Sequence, residues 1–169
     1  MEPLDDALIR ASFVNCSKGE AKRLNLPADL EEQAWSDLDF LGWVDPRAPQ
    51  QSYLVVPSER HGLVGVAMRR NPGGGGGRAK MCSLCTTTHP GQGVSLMVAR
   101  RAHQAGRDGN SVGLDICGDL GCSLHARGLR PLPAMSTAHE TLSLEGRVSR
   151  LRRNTEAFLA RVLRPQSAA

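Results

Sequence analysis

Four of the five cysteines in this chain fall into two pairs, Cys82 and Cys85 in KMCSLCTTTHP and Cys117 and Cys122 in DICGDLGCSLHARG. No other feature of the 169 residues limits the fold as tightly. Two residues between Cys82 and Cys85 let one tight turn aim both sulfurs at a single ion, with backbone N–H groups offsetting part of the thiolate charge. The second pair completes a tetrahedral donor set.

The rival chemistry for Cys82 and Cys85 is a dithiol oxidoreductase. A redox pair of that kind opens a helix after a strand in a βαβ frame, whereas CTTTHPGQG runs on into a β-branched loop with Pro and Gly. The second pair would then have no role. Disulfides belong to oxidising compartments. Here no apolar run approaches the length of a membrane helix, and the opening MEPLDD is acidic where a secretory signal is basic and then apolar. The reading is therefore a cytoplasmic chain whose thiols stay reduced and take a metal: one structural zinc on Cys82, Cys85, Cys117 and Cys122. With four protein ligands such an ion has no open position for water. His125, one helical turn after Cys122, and His89 are the substitute ligands. Cys16 stands apart and reads as a small buried hydrophobe.

Around the cysteines, periodicity sets the elements. Leu4, Leu8, Ile9 and Phe13 share one helical face, with Asp5 and Asp6 at its positive end. Ser17 and Glu20 form a capping box for a second short helix, and a third helical piece is expected over ADLEEQAWSDL, 28–38. SYLVVP and GLVGVAMRR alternate as two strands joined across Ser58 to Gly62. NPGGGGGR, with Arg69, Arg70, Arg78 and Lys80 around it, reads as a flexible basic loop. It is no phosphate loop, because no Gly-Lys-Ser/Thr follows. VSLMVARR and VGLDI are the next strand pair, with HQAGRDGN as their turn. Gly121 to Arg127 is a short helix ended by Gly128, and PLPAM is a linker. From Ser143 to Leu163, Leu144, Val148, Leu151, Thr155, Phe158 and Val162 repeat at four- and three-residue spacing. The opposite face of that helix carries Arg147, Arg150, Arg153, Arg161 and Arg164.

The order of knuckle, hairpin, then cysteine turn running into a short helix is the treble-clef arrangement, with Cys122 near the helix's positive end. The fold class expected is α+β: a small antiparallel sheet with a treble-clef zinc finger, short N-terminal helices and a C-terminal amphipathic helix. The expected division is 1–40 as a short helical segment, 41–165 as the zinc-finger domain and 166–169 as a tail, in a monomer.

Charge is uneven along the chain. Residues 61–169 carry 15 Lys/Arg against 6 Asp/Glu, and 18 of all 21 basic residues are Arg, whose planar fork grips carboxylates and phosphates. An acidic partner, protein or RNA, follows from that balance, although aromatics at 4% offer little for base stacking. The basic surface expected to meet it is Arg100, Arg101, Arg127 and Arg130. No serine elbow or carboxylate–histidine spacing marks a hydrolytic site, so the chain reads as a binding protein and not an enzyme.

The pieces NCSKGEAKRLNLP, LDFLGWVDP, YLVVP, MCSLCTTTHPG, VSLMVARR and DICGDLGCSLHARG, in that order, resemble the bacterial elongation factor G-binding zinc-finger family, and in particular the C-terminal treble-clef domain of fusidic-acid-resistance proteins. The resemblance implies a zinc-stabilised α/β domain that binds elongation factor G and, in the resistance proteins, helps release it from the ribosome. Cys82, Cys85, Cys117 and Cys122 match the family's metal motif by position. The resistance proteins carry a helical bundle before this domain, where residues 1–40 offer only short helices. A zinc-stabilised RNA- or ribosome-binding module is the alternative reading.

Overall fold

Alternation along the strands divides the core in two. In SYLVVP, Leu54 and Val56 point to one side and Tyr53 and Val55 to the other, and all four are buried. A strand apolar on both faces must lie between two packed layers. The computed structural model describes residues 1–71, 78–91, 93–132 and 140–165, and in it this strand is β2 (Gln51–Ser58), second in a five-stranded antiparallel sheet. The order is β1 (Leu41–Val44), β2, β3 (Gly62–Asn71), β6 (Val94–Arg100) and β7 (Ser111–Cys117). A two-stranded ribbon, β4 (Lys80–Met81) with β5 (Thr88–His89), leaves the sheet between β3 and β6.

On one face lies the larger core, where Phe40, Val66, Met68, Met97 and Ile116 pack against Leu151, Phe158, Leu159 and Val162. Those last four belong to the long helix α5 (Leu144–Leu163), capped by Ser143, whose hydroxyl accepts from the Gly146 N–H. The helix expected from periodicity is thus present, although its first apolar residue, Leu144, is exposed. Thr155, buried in this face, donates to the Leu151 carbonyl at 2.9 Å, so its hydroxyl is satisfied. The α+β class and the antiparallel sheet agree with expectation.

The N-terminal segment covers the other face. α1 (Asp6–Ala11), capped by Asp5, contributes Ile9, and α2 (Lys18–Lys22) opens with the expected Ser17–Glu20 capping box. Between 28 and 38 the chain forms two 3-10 turns, Leu30–Glu32 and Trp35–Asp37, in place of one helix. Phe13, Trp43 and Tyr53 meet there, with ring centroids 5.0 to 6.4 Å apart. The chain locks to the sheet where Phe13 bridges Gly65. A side chain at Gly65 would put its Cβ 2.5 Å from Ser12 Oγ and 3.0 Å from the Phe13 ring, so only glycine permits that approach.

Two further differences from expectation are local. LGWV, for which the periodicity named no element, is a strand because β2 supplies its partner in register from Leu41↔Val55 to Val44↔Ser52. HQAGRDGN holds a short helix, α3 (His103–Arg107), before Gly109 turns the chain at φ 88. Six residues of the glycine-rich loop, 72–77, and residues 133–135 of the expected linker lie outside the described residues, so those two readings stay expectations.

Candidate metal centre

Three separate pieces of backbone bring the cysteines together. Cys82 and Cys85 occupy the turn of the β4–β5 ribbon, where the Cys82 N–H donates to Thr87 O and the Thr86 N–H to Cys82 O, both at 2.9 Å. Thr86 takes φ 62 to close that knuckle. Cys117 ends β7, and Cys122 begins α4 (Cys122–Arg127), which stops at Gly128 in the left-handed region as expected. The knuckle is tied to β7 by the Ser83 N–H donating to Asp115 O at 2.8 Å, and Leu120, at φ 55, turns the chain between Cys117 and Cys122. α5 clamps the knuckle from above: Asn154 donates to Leu84 O at 2.9 Å.

All four cysteines are buried, and their sulfurs lie within 4.8 Å of one another. Cys82 Sγ is 3.7 Å from Cys122 Sγ, and Cys85 Sγ is 3.5 Å from Cys117 Sγ. Disulfides are excluded at such separations, since S–S bonds are about 2.05 Å. A regular tetrahedron of thiolates about 2.3 Å from zinc has edges of about 3.8 Å, so the donor set fits that ion in both chemistry and size. The Leu84 N–H approaches Cys82 Sγ at 3.4 Å, as a metal knuckle requires. Hydrogen bonds from Cys117, Cys122 and Cys85 favour a thiolate on Cys82. The Cys122 thiol is pushed far up by its hydrogen bonds to Cys117, Cys82 and Cys85 and by complete burial. Four buried thiols this close are a donor set consistent with a zinc site.

Both substitute histidines are here too. His89 Nε2 lies 3.4 Å from Cys117 Sγ, and the His89 and His125 rings meet edge to face at 4.9 Å. Burial, helped by the charge of His125, holds His89 below the ordinary histidine range. Burial pushes the Asp119 carboxyl up, but His125, the Gly121 N–H and Arg130 outweigh it and hold it well below the usual carboxylate range. Lys80 has its ammonium 3.9 Å from the Asp115 carboxylate.

The four arginines expected on one face are divided. β6 pairs Val94 with Cys117 at the metal end and Arg100 with Ser111 at the other, and six residues of strand span about 20 Å. Arg100 and Arg101 thus stand at the far end of the sheet from the cysteines. Arg127 turns inward to the buried Asp39 carboxylate, which Arg152 also reaches at 2.8 Å. Arg130 pairs with Asp119 and keeps 42% of its side chain exposed. Sequence reasoning missed Asp39, whose partners are remote in the chain.

Comparison with known proteins gives one family. The model of the FBP C-terminal treble-clef zinc-finger matches residues 8–162. Among solved structures the chain is similar to the fusidic acid resistance protein FusC, at 19% identity and a TM-score of 0.47, over 62% of this chain and 46% of that one. The chain therefore spans less than half of FusC. No curated protein gives a significant match. Among the described residues no helix is long and apolar enough to cross a membrane.

Proposed function

The chain belongs to the FBP C-terminal treble-clef zinc-finger family, and from that premise we propose that it is a non-enzymatic zinc protein that binds elongation factor G and modulates its release from the ribosome. The observation that carries this reading is the buried, closed cluster of four sulfurs. Cys82, Cys85, Cys117 and Cys122 hold one zinc, which cross-links the knuckle, the end of β7 and the start of α4. Four protein ligands leave the ion no position for substrate or water, which favours a scaffold over a catalyst. Elongation factor G as partner follows from the family resemblance.

For the partner surface the arginines at the far end of β6 are the better candidates. Arg100 is exposed, and Arg100, Arg101 and Arg107 line one cleft beside Cys16 and Glu20. Arg130 adds a second basic point on the metal side, while Arg127 serves the interior. Mixing the zinc-loaded chain with purified elongation factor G tests the reading. Binding is expected, and Arg100→Glu with Arg101→Glu should weaken it about tenfold or more, as loss of rim charges at a complementary interface does. No binding by the unmodified chain would overturn the proposal. Capture of RNA instead, with affinity falling steeply as salt rises, would favour the nucleic-acid module.

A further inference from the structure

Four thiolates around one zinc leave His89 and His125 with no part in the centre. His125 is 6% exposed, yet neither ring nitrogen has a hydrogen-bond partner among the described residues. Its Nε2 is 3.4 Å from Asp119 Oδ2, an ion-pair separation without hydrogen-bond alignment. Leaving a buried polar group unpaired costs about 1–3 kcal/mol, so such a group marks a place where a ligand belongs. His89, Cys117 and His125 each offer one ligand atom, and all three atoms lie within 4.8 Å of one another. His89 and His125 border an open cleft of about 620 Å³, lined also by Arg70, Gly118 and Asp119, which gives an ion a path in.

The charge balance points the same way. Four thiolates on one dication carry two net negative charges, and Asp119 adds a third close by. Arg130 and Arg70 offset only part of this, and Arg70 is engaged with Ser95 Oγ at 2.9 Å. Imidazole, carboxylate and thiolate donors together suit zinc. We propose that His89, His125 and Asp119, with the Cys117 thiolate shared from the four-cysteine centre, form a second zinc site. It rests on the reading that the four cysteines hold the first ion. Arg130 competes for Asp119, so the second site fills after the first and binds more weakly.

The test is zinc bound per chain, measured by native mass spectrometry on the purified full chain at one equivalent and at tenfold excess of zinc chloride. One ion is expected at one equivalent and two in excess. His89→Gln with His125→Gln should hold one ion under both conditions, with an unchanged circular dichroism spectrum. If that variant does not fold, Asp119→Asn carries the same expectation, one ion at one equivalent and in excess zinc. One ion per chain in excess zinc, or two that persist in the variants, overturns the proposal and leaves the first site standing. No bound ion at all overturns both.

Discussion

Asp39 is the residue whose loss should be felt furthest from its own position. Its side chain is 2% exposed and accepts from Arg127, 14% exposed, and from Arg152, 64% exposed. Its own N–H donates to Ser123 Oγ at 3.0 Å. One carboxylate thus ties the N-terminal segment to α4 and to α5. Asp39→Ala would leave the Arg127 guanidinium buried without an anion, and removing one member of a buried pair costs about 3–5 kcal/mol. Arg127→Ala should cost less, because Arg152 still reaches the carboxylate at 2.8 Å. Arg152 is largely in solvent, so Arg152→Ala should cost under about 1 kcal/mol. The double variant at Asp39 and Arg127 should be little worse than Asp39→Ala alone, since no buried charge is then left uncompensated. Urea unfolding of the zinc-loaded protein at fixed free zinc measures all four. The reasoning is refuted if Asp39→Ala stays within about 1 kcal/mol of the unmodified chain, or if Arg152→Ala is as costly as Arg127→Ala.

Other consequences are more local. Gly65→Ala would drive a methyl group into Ser12, which is itself bound to Ile9 O at 2.7 Å, and should destabilise the fold by about 1–3 kcal/mol in the same assay. Tyr53, the single tyrosine, is pushed up to about 12 by burial and by the neighbouring Asp45 carboxylate. Its folded value lies above the unfolded one of about 10, so the stability it lends is complete below that pH and is lost as pH rises through about 12. Phenolate absorbance should titrate near 12 in the folded chain and near 10 in urea, and a folded midpoint near 10 would refute the burial argument. Asp45 behaves oppositely. Burial pushes it up, but hydrogen bonds from Asn25, Arg47, Ala48 and Tyr53 outweigh burial and hold it down. Its contribution is therefore present above about pH 4 and lost as acid takes the pH lower, and Asp45→Asn should flatten the acid limb of the stability curve.

Local chemistry in the sequence carried a good share of this structure. Ser143 and Gly128 bounded their helices, and the Ser17–Glu20 box formed with both of its hydrogen bonds. The cysteine spacings found their cluster because a metal knuckle is set by a few adjacent residues. What failed depended on partners remote in the chain. β1 is only four residues long and exists through pairing with β2. Leu30, Trp35 and Leu38 all lean on the second core, at intervals of five and three that one α-helical stripe does not match, so two tight turns replace a helix. Arg127 read as surface charge because the sequence gives no sign that Asp39 is buried opposite it. The histidines were legible as candidate ligands, but that the His125 ring nitrogens find no hydrogen-bond partner among the described residues needed the structure.

The central claim is that Cys82, Cys85, Cys117 and Cys122 alone surround one zinc ion in a closed site. X-ray absorption at the zinc edge, on the chain loaded with one equivalent, tests it directly. The account predicts four sulfur neighbours at about 2.3 Å and no nitrogen or oxygen in the first shell. Three sulfurs with one nearer nitrogen would mean that His89 or His125 displaces a cysteine, and would contradict it.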